Sequence, residues 1–488
     1  MAQPAVHPRL AEALSSLFGS AKGSNCDVQF CLQGADAAAG GAELGPPVPA
    51  HTFALGHTSE RFQAQFERWQ DAPPAETRGQ EGLLQAGGKR LLLRVPLGSE
   101  VELPAALLAL RFAYTGQVHA SSIREALGML RVGDYLGIEG CAAACCQWLA
   151  DRLAATAAKA GSSETAEPAV LQLYACQDLW PSDDPSFVAV LSFAKVQLVR
   201  RFGSTIHALN EAVLLNQVAA LPAAGMEALL ESDDLGTGSE DSVLLLLAKW
   251  MKVNWARTDA ATRQRLCGLV RLTQLSPQVT AIEAWRKETR EAQAAAGAPG
   301  WHSNSPRKQC IPEEGIPLPF SISKEALRAE LEGLRRGQHA QANASFSDGH
   351  LVAYAQGLAW SVFVQYHHGE EAAGLYLRPQ ISHNYAVPGS GLAAGSVPRC
   401  AFFVDADLTV NRRQEAGGLS AVSIMSYSRK AHMKLGEGLG VRAAFPLSPQ
   451  LPAAPGAAAA RDVLLARWAE YAHEGSAVTG TLTLLPPK

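Results

Sequence analysis

The apolar residues of this chain change period along its length, and that change limits the folds open to it. From Pro168 to about Ala284 they recur with a helical period, in LQLYACQDL, SFVAVLSFAKVQLVRRF and DSVLLLLAKWMKVNW. From about residue 344 they come in short strand-like runs separated by Gly and Pro, among them LAWSVFVQYHH, GLYLRPQI, RCAFFVDADLTV and LSAVSIMSYS. A helical block followed by a strand block favours separate domains over one alternating α/β sheet. At 488 residues the chain also exceeds one ordinary core, so roughly two to four domains are expected.

The segment between the two blocks has neither period. RKETREAQ is charged, and AAAGAPGWHSNSPRKQCIPEEGIPLP is rich in Pro, Gly and Ser. Residues 285–343 therefore read as a linker. One helix is expected in the β block, near Ala459 to Tyr471.

Ahead of the helical block the periods mix. PRLAEALSSLF places Leu10, Leu14 and Leu17 on one helical face. CDVQFCL, from Cys26 to Leu32, alternates like a strand. Residues 33–49 read as a long hairpin loop, and Ser59 to Trp69 as a helix capped by Ser59. A polar insertion covers about 71–88, and Lys89 to Val95 is a second strand. Pro104 opens a helix where its missing N–H costs nothing, and Gly116 stops it. Two further helices, Ile123 to Leu136 and Glu139 to Leu153, are separated by Gly137.

Composition narrows the function. With 42 basic and 46 acidic residues the net charge is −4, so nothing calls for nucleic acid or an anionic membrane as partner. The longest aliphatic run, Val243 to Ala248, is far short of the roughly 20 residues that span a bilayer. The N-terminus MAQPAVHPRL has no apolar stretch behind it, against a secretory signal. A soluble intracellular protein with reduced thiols, in the nucleus, the cytoplasm or both, is expected.

No constellation amounts to an active site, and an enzyme is not expected. There is no GxSxG, no GxxxxGK[ST] and no strand-linked GxGxxG. LGEGLG at 435–440 lies in the β block with no helix behind it to make a phosphate site. Cys141, Cys145 and Cys146 share a helix, but a helical pair supplies too few ligands for structural zinc, and buried core is the better reading. His367 and His368 are adjacent on a strand and point to opposite faces, which suits a surface turn. Asp405 and Asp407 lie two apart and would share a strand face, as an acid–base pair or, more simply, a solvated face. No cofactor and no metal are expected.

Four of these stretches, in this order, resemble the BTB/POZ domain: CDVQF (26–30), AHTFALGHTSERFQAQF (50–66), LLALRFAYTG (107–116) and LRVGDYLGIEGCAAACCQWL (130–149). The likeness covers residues 8–155. It departs at Thr52, where the family usually has Lys or Arg, at Gly133, where Ala is usual, and in two enlarged loops. Residues 168–284 resemble the BACK domain, through Ser232, Asp233, Leu235, Ser239, Glu240, Val243 and Trp250. Ser239 and Glu240 also read physically as a helix N-terminus. GLAWSVFVQYHHGEEAAGLYLRP (357–379) resembles the start of a MATH/TRAF-like sandwich and the C-terminal part of plant light-response and POZ-BTB proteins. The implied architecture is an α+β BTB/POZ domain, an all-α BACK domain (168–284), a linker, and a mainly-β sandwich-like domain (344–488).

The resemblance implies an adaptor with three surfaces. Leu10, Leu14, Leu17, Asp27 and His51 would form or support a homodimer interface. Phe66, Trp69, Asp71, Asp134 and Tyr135 would meet a cullin, with Trp69-Gln70-Asp71 a loose match to the family's cullin motif. Phe66 is equally a core residue on this reading. Trp360, Tyr366 and Tyr376 of the β domain would hold a client protein, although strand aromatics are more often core. The implied function is substrate recruitment to a cullin-RING ubiquitin ligase. The alternative is a BTB scaffold or transcriptional co-regulator that meets no cullin. Zinc-finger DNA readers of that class are excluded by the absent C-x-x-C…H-x-x-x-H pattern.

Overall fold

The computed structural model describes residues 8–33, 42–71, 90–158, 167–182, 184–276, 303, 305–332, 334–385, 401–402, 404–414, 418–428, 433–448, 466–473 and 477–486, with the backbone alone at Pro8, Leu10, Trp69–Asp71, Ala157, Ala158, Asp348, Ala401, Phe402, His473 and Ala477. The chain divides into two compact units, residues 1–197 and 198–488.

In the first unit three strands form one sheet in the order β2-β1-β3. β1 (Cys26–Leu32) is the central strand, buried on both faces. β3 (Leu91–Leu97) runs parallel to it and β2 (Glu43–Ala50) antiparallel. β2 is a correction to the loop expected over 33–49. Its sequence ELGPPVPA looks unlike a strand, but on an edge a proline can turn its missing N–H to solvent. The helix expected from Ser59 is α3 (Glu60–Asp71), with the Ser59 hydroxyl accepting from the Phe62 amide, and a short helix not expected, α2 (Thr52–Thr58), precedes it.

α1 (Pro8–Leu17) packs on α4 (Leu103–Thr115), which carries proline in its first turn and ends on left-handed Gly116, as expected. α5 (Ile123–Tyr135) is capped by Ser122, whose hydroxyl accepts from the Glu125 amide, while the Glu125 carboxylate accepts from Ser121. α6 (Cys141–Ala158) lies against α5. At Gly133 an added Cβ would overlap the Cys141 sulfur and lie 3.0 Å from the Cys141 Cβ. The glycine that departs from the family pattern is therefore the partner of this cysteine. Cys141, Cys145 and Cys146 are buried core.

Helices follow: α7 (Ala169–Ala175) and α8 (Pro185–Phe202), then α9 (Thr205–Asn210), α10 (Ala212–Ala220), α11 (Ala223–Glu231), α12 (Glu240–Asn254) and α13 (Ala260–Cys267). α12 is the axis of this block, buried along nearly its whole length. That explains why its sequence is apolar on all sides rather than on one stripe. Among the described residues no single helix is long and apolar enough to cross a membrane.

The segment expected as linker is largely structured where it is described. Arg307 is buried against α12. β4 (Ile316–Ser323) pairs with the chain's last strand, β15 (Ala477–Leu484), across eight residue pairs. A helix (Lys324–Leu331) and β5 (His339–Asn343) follow. Composition misled here because edge strands tolerate the prolines of IPLP.

Two antiparallel sheets then share one core. One holds β13 (Leu439–Pro446), β8 (Ala372–Gln380), β7 (Leu358–His367) and β5 in that order, with β6 (Ala353–Ala355) also on β7. The other holds β11 (Leu419–Tyr427), β10 (Ala406–Arg413), β15 and β14 (Ala472–His473), with β4 on the far side of β15. The two-residue strands β9 (Ala401–Phe402) and β12 (Met433–Lys434) pair with each other. Most of the helix expected near 459–471 lies outside the described residues; Trp468 and Tyr471 at its end are buried in a turn.

Candidate interaction surfaces

The expected dimer residues do not form one buried cluster. His51 is buried, and its Nδ1 lies 3.3 Å from the Tyr114 hydroxyl. The same hydroxyl accepts from the His51 backbone N–H at 2.8 Å, and His51 Nε2 lies 3.2 Å from the Lys22 carbonyl. Burial pushes the Tyr114 hydroxyl up to about 12, so it stays protonated in this site. Asp27 is instead a half-buried partner of Arg90 at 3.6 Å. Leu14 and Leu17 are half-buried on α1, and the Leu10 side chain lies outside the described residues. Sequence reading missed Phe53, which stands 67% exposed on α2 with its ring edge-on to His57. The only signal was their i, i+4 spacing.

A second surface is built from two segments far apart in sequence. The Ser59 hydroxyl donates to the Leu136 carbonyl at 2.5 Å and accepts from the Phe62 amide. The Glu60 amide donates to the Gly137 carbonyl, and the Glu139 amide to the Thr58 carbonyl. Gly137 adopts φ 60, which favours glycine at this turn. These bonds fasten the start of α3 to the α5–α6 turn and set Tyr135, 44% exposed, under the Arg61 guanidinium at 4.3 Å. Asp134, Glu60 and Glu139 are exposed around it. The result is a solvent-facing aromatic with an acidic rim, a composition suited to an interface centre. Phe66 is not part of it. Its side chain is buried, its ring near Gly56, so it supports α3 from below rather than presenting itself to a partner. The Trp69 and Asp71 side chains lie outside the described residues.

The third set of expected residues is core in two cases of three. Trp360 is fully buried and donates its indole N–H to the Ala355 carbonyl at 2.9 Å. Tyr366 is buried and its hydroxyl accepts from Arg467. Only Tyr376 is half-exposed, stacked on Phe363 at 5.3 Å. The alternating strands carry large aromatics because two sheets need them as filling. Trp360 and Tyr366 therefore cannot contact a client.

The remaining chemical candidates resolve as ordinary structure. Asp405 precedes β10 and is buried, while Asp407 accepts from Ser426, so the two make no acid–base pair. His367 faces His339 across the β5–β7 pair, and His368 begins the following turn, its amide on the Gln338 carbonyl. LGEGLG is the turn into β13. No cluster of three His, Cys, Asp or Glu fit to hold a metal occurs among the described residues.

Within the second unit the β6–β7 hairpin packs directly on the helices. The Tyr354 amide donates to Asn210 Oδ1 at 2.6 Å, and Asn210 Nδ2 donates to the Tyr354 carbonyl at 2.8 Å. Lys249 of α12 places its ammonium 3.5 Å over the Tyr354 ring, and burial pulls that ammonium down to about 8. Tyr385 donates to the Gly357 carbonyl at 2.8 Å, beside Asp241. Burial pushes the Asp241 carboxyl up to about 6, against the amide of Ser276 that donates to it.

Comparison with known proteins bears on part of the chain. Residues 181–282 match the BACK family, described as BTB And C-terminal Kelch. The chain is 25% identical over 189 residues to a BTB/POZ domain-containing protein of Arabidopsis thaliana. The match covers 38% of this chain, which spans 31% of that protein's length. The fold and these matches define the class, a multidomain α+β protein with a BACK segment. Within that class the chain carries a segment similar to BACK and is similar over part of its length to a BTB/POZ domain-containing protein.

Proposed function

We propose that this chain is a dimerising adaptor that brings a client protein to a cullin-based ubiquitin ligase. The observation that carries the reading is the α3–α5 surface, where Tyr135 stands exposed over Arg61 with Asp134 beside it. Exposed aromatics flanked by charge are the usual anchors of interfaces. The residues from 8 to 155 serve as the BTB module, with α1 and α2 in the homodimer interface around Leu14, Leu17 and Phe53. The C-terminal sheets, in the manner of a TRAF-like domain, hold the client. Dimerisation would double the valency for client and ligase and raise avidity without any new contact.

The test is a pull-down of the full chain with a cullin N-terminal domain. Wild type is expected to bind, and Tyr135→Ala and Arg61→Glu to lose binding while melting at the wild-type temperature. Wild type that binds no cullin sinks the ligase role and leaves a BTB scaffold that meets none.

A further inference from the structure

A cleft of about 220 Å³ opens where α9 and the residue after it, Glu211, face the β domain. Ile206 and His207 of α9 and Glu211 form one wall, β4 from Ile316 to Pro319 the second, and the Phe346–Ala353 turn the third. The volume suits one large side chain and falls short of the roughly 300–1,000 Å³ of a small-molecule site.

The backbone of β4 makes this cleft unusual. Ser321 exchanges both backbone hydrogen bonds with Ser345, on the side of β4 away from β15. In an antiparallel strand alternate residues direct N–H and C=O to the same side. Pro319 and Pro317 therefore direct their backbones outward as Ser321 does, but without an N–H. Among the described residues no backbone pairing to this side of β4 extends past Ser345, so these two carbonyls meet the cleft as acceptors with no backbone donor between them on the edge. Glu211 adds an exposed carboxylate with no ion pair among the described residues. Asn210 is occupied on both amide atoms by Tyr354. Glu313 and Glu314 stand exposed just before β4. His207 and Ser347 stand exposed on the rim and His350 is half-buried. The apolar part of the lining has Phe346 and Ile206 buried and Val352 and Leu318 half-buried, with Leu351 61% exposed beside them.

We propose that this cleft binds an arginine side chain presented by an extended, apolar segment of a partner protein. A guanidinium offers five donors in a plane and no acceptor, the complement of a donor-free edge beside a carboxylate. Its aliphatic stem suits the apolar lining, and apolar neighbours in the segment suit Leu351 and Phe346. The site extends the client-holding role proposed above and rests on that reading only in calling the partner a client.

Fluorescence anisotropy of the full chain with fluorescein-labelled Ala-Leu-Arg-Leu-Ala amide tests it. The same peptide with citrulline, neutral and nearly isosteric, should bind at least about tenfold more weakly, the worth of a charge-assisted bond. Glu211→Gln should weaken the arginine peptide by about fivefold, and Ser347→Trp, filling the cleft from its exposed rim, should abolish binding. Both positions are exposed, so unchanged melting temperatures are expected. Failure of the wild type to bind, equal binding of the citrulline peptide, or wild-type affinity in both variants would overturn the proposal. Cullin capture by Glu211→Gln is expected at the wild-type level, so loss of this site and loss of the ligase role read out separately.

Discussion

Removing Arg307 should cost the second unit heavily. Its side chain is fully buried and Glu240, at the start of α12, is 2% exposed. Arg307 Nε donates to Glu240 Oε2 at 3.0 Å and Nη2 to Glu240 Oε1 at 3.4 Å. The other guanidinium bonds reach the carbonyls of Ser232 at 2.7 Å and Leu269 at 3.2 Å. Arg307→Ala would leave a buried carboxylate with the Arg271 amide as its remaining hydrogen-bond donor, together with two stripped carbonyls. Breaking a buried pair from one side costs about 3–5 kcal/mol, a factor of roughly 10² to 5 × 10³ in local opening. Arg307→Lys supplies a single point charge in place of a fork and should cost less than the alanine, about 1–3 kcal/mol. Hydrogen exchange of the full chain should show protection along α12 falling by about those factors. A loss under about threefold for Arg307→Ala would refute the reasoning, because Glu240 would then be finding other partners or water.

Four further outcomes are expected. Gly133→Ala gains about 1 kcal/mol of helix propensity but meets Cys141, and should destabilise α5–α6 by about 1–2 kcal/mol net. Adding Cys141→Ala should recover most of it, a coupling readable in a double-mutant cycle of exchange protection. Asp241 binds its proton more tightly folded than unfolded, so its contribution favours the fold at low pH and is lost as pH rises from about 4 through 6. Melting the full chain across that window should show Asp241→Asn with a slope lower by up to about 3 kcal/mol in sum. Lys249→Met removes a buried ammonium while keeping its stem against Tyr354, and should be neutral or stabilising at pH 7 in the same melts. Trp360→Ala should cost about 3–5 kcal/mol and Tyr135→Ala under about 0.5, since one is core and the other is surface.

What the sequence made legible was whatever depends on local pattern. Pro104 and Gly116 mark the limits of α4 because a proline at the start and a left-handed glycine at the end act within a few residues. The helical period expected over 168–284 survives as helices where it is described, to residue 276, because each buries a face, or in α12 nearly every face, against its neighbours. β4 was lost because IPLPFSIS is read as a turn-rich linker by any rule of composition. It is a strand because β15, more than 150 residues later, supplies its partner. Pairing of that kind is decided by tertiary contact, which overrides propensity most easily at an edge.

The same distinction governs the surfaces. An aromatic in a strand reads alike whether it faces a client or the opposite sheet, and Trp360 and Tyr366 went inward because two sheets need filling. The sequence singles out Tyr135 only through the resemblance; the residue stands exposed because it ends a helix at a glycine turn. Its partner Arg61 was not legible, since it arrives through the Ser59–Leu136 and Glu60–Gly137 bonds across a separation of more than 70 residues. The donor-free edge at Pro317–Pro319 is the most instructive case. Those prolines argue against a strand when read alone, yet once β15 fixes the strand they decide what it can recognise. Removing N–H groups from an outward edge discourages pairing with another chain and leaves carbonyls. A carbonyl row beside Glu211 selects for donors and against acceptors. The residues that hid the fold are therefore the ones that give this edge its chemistry.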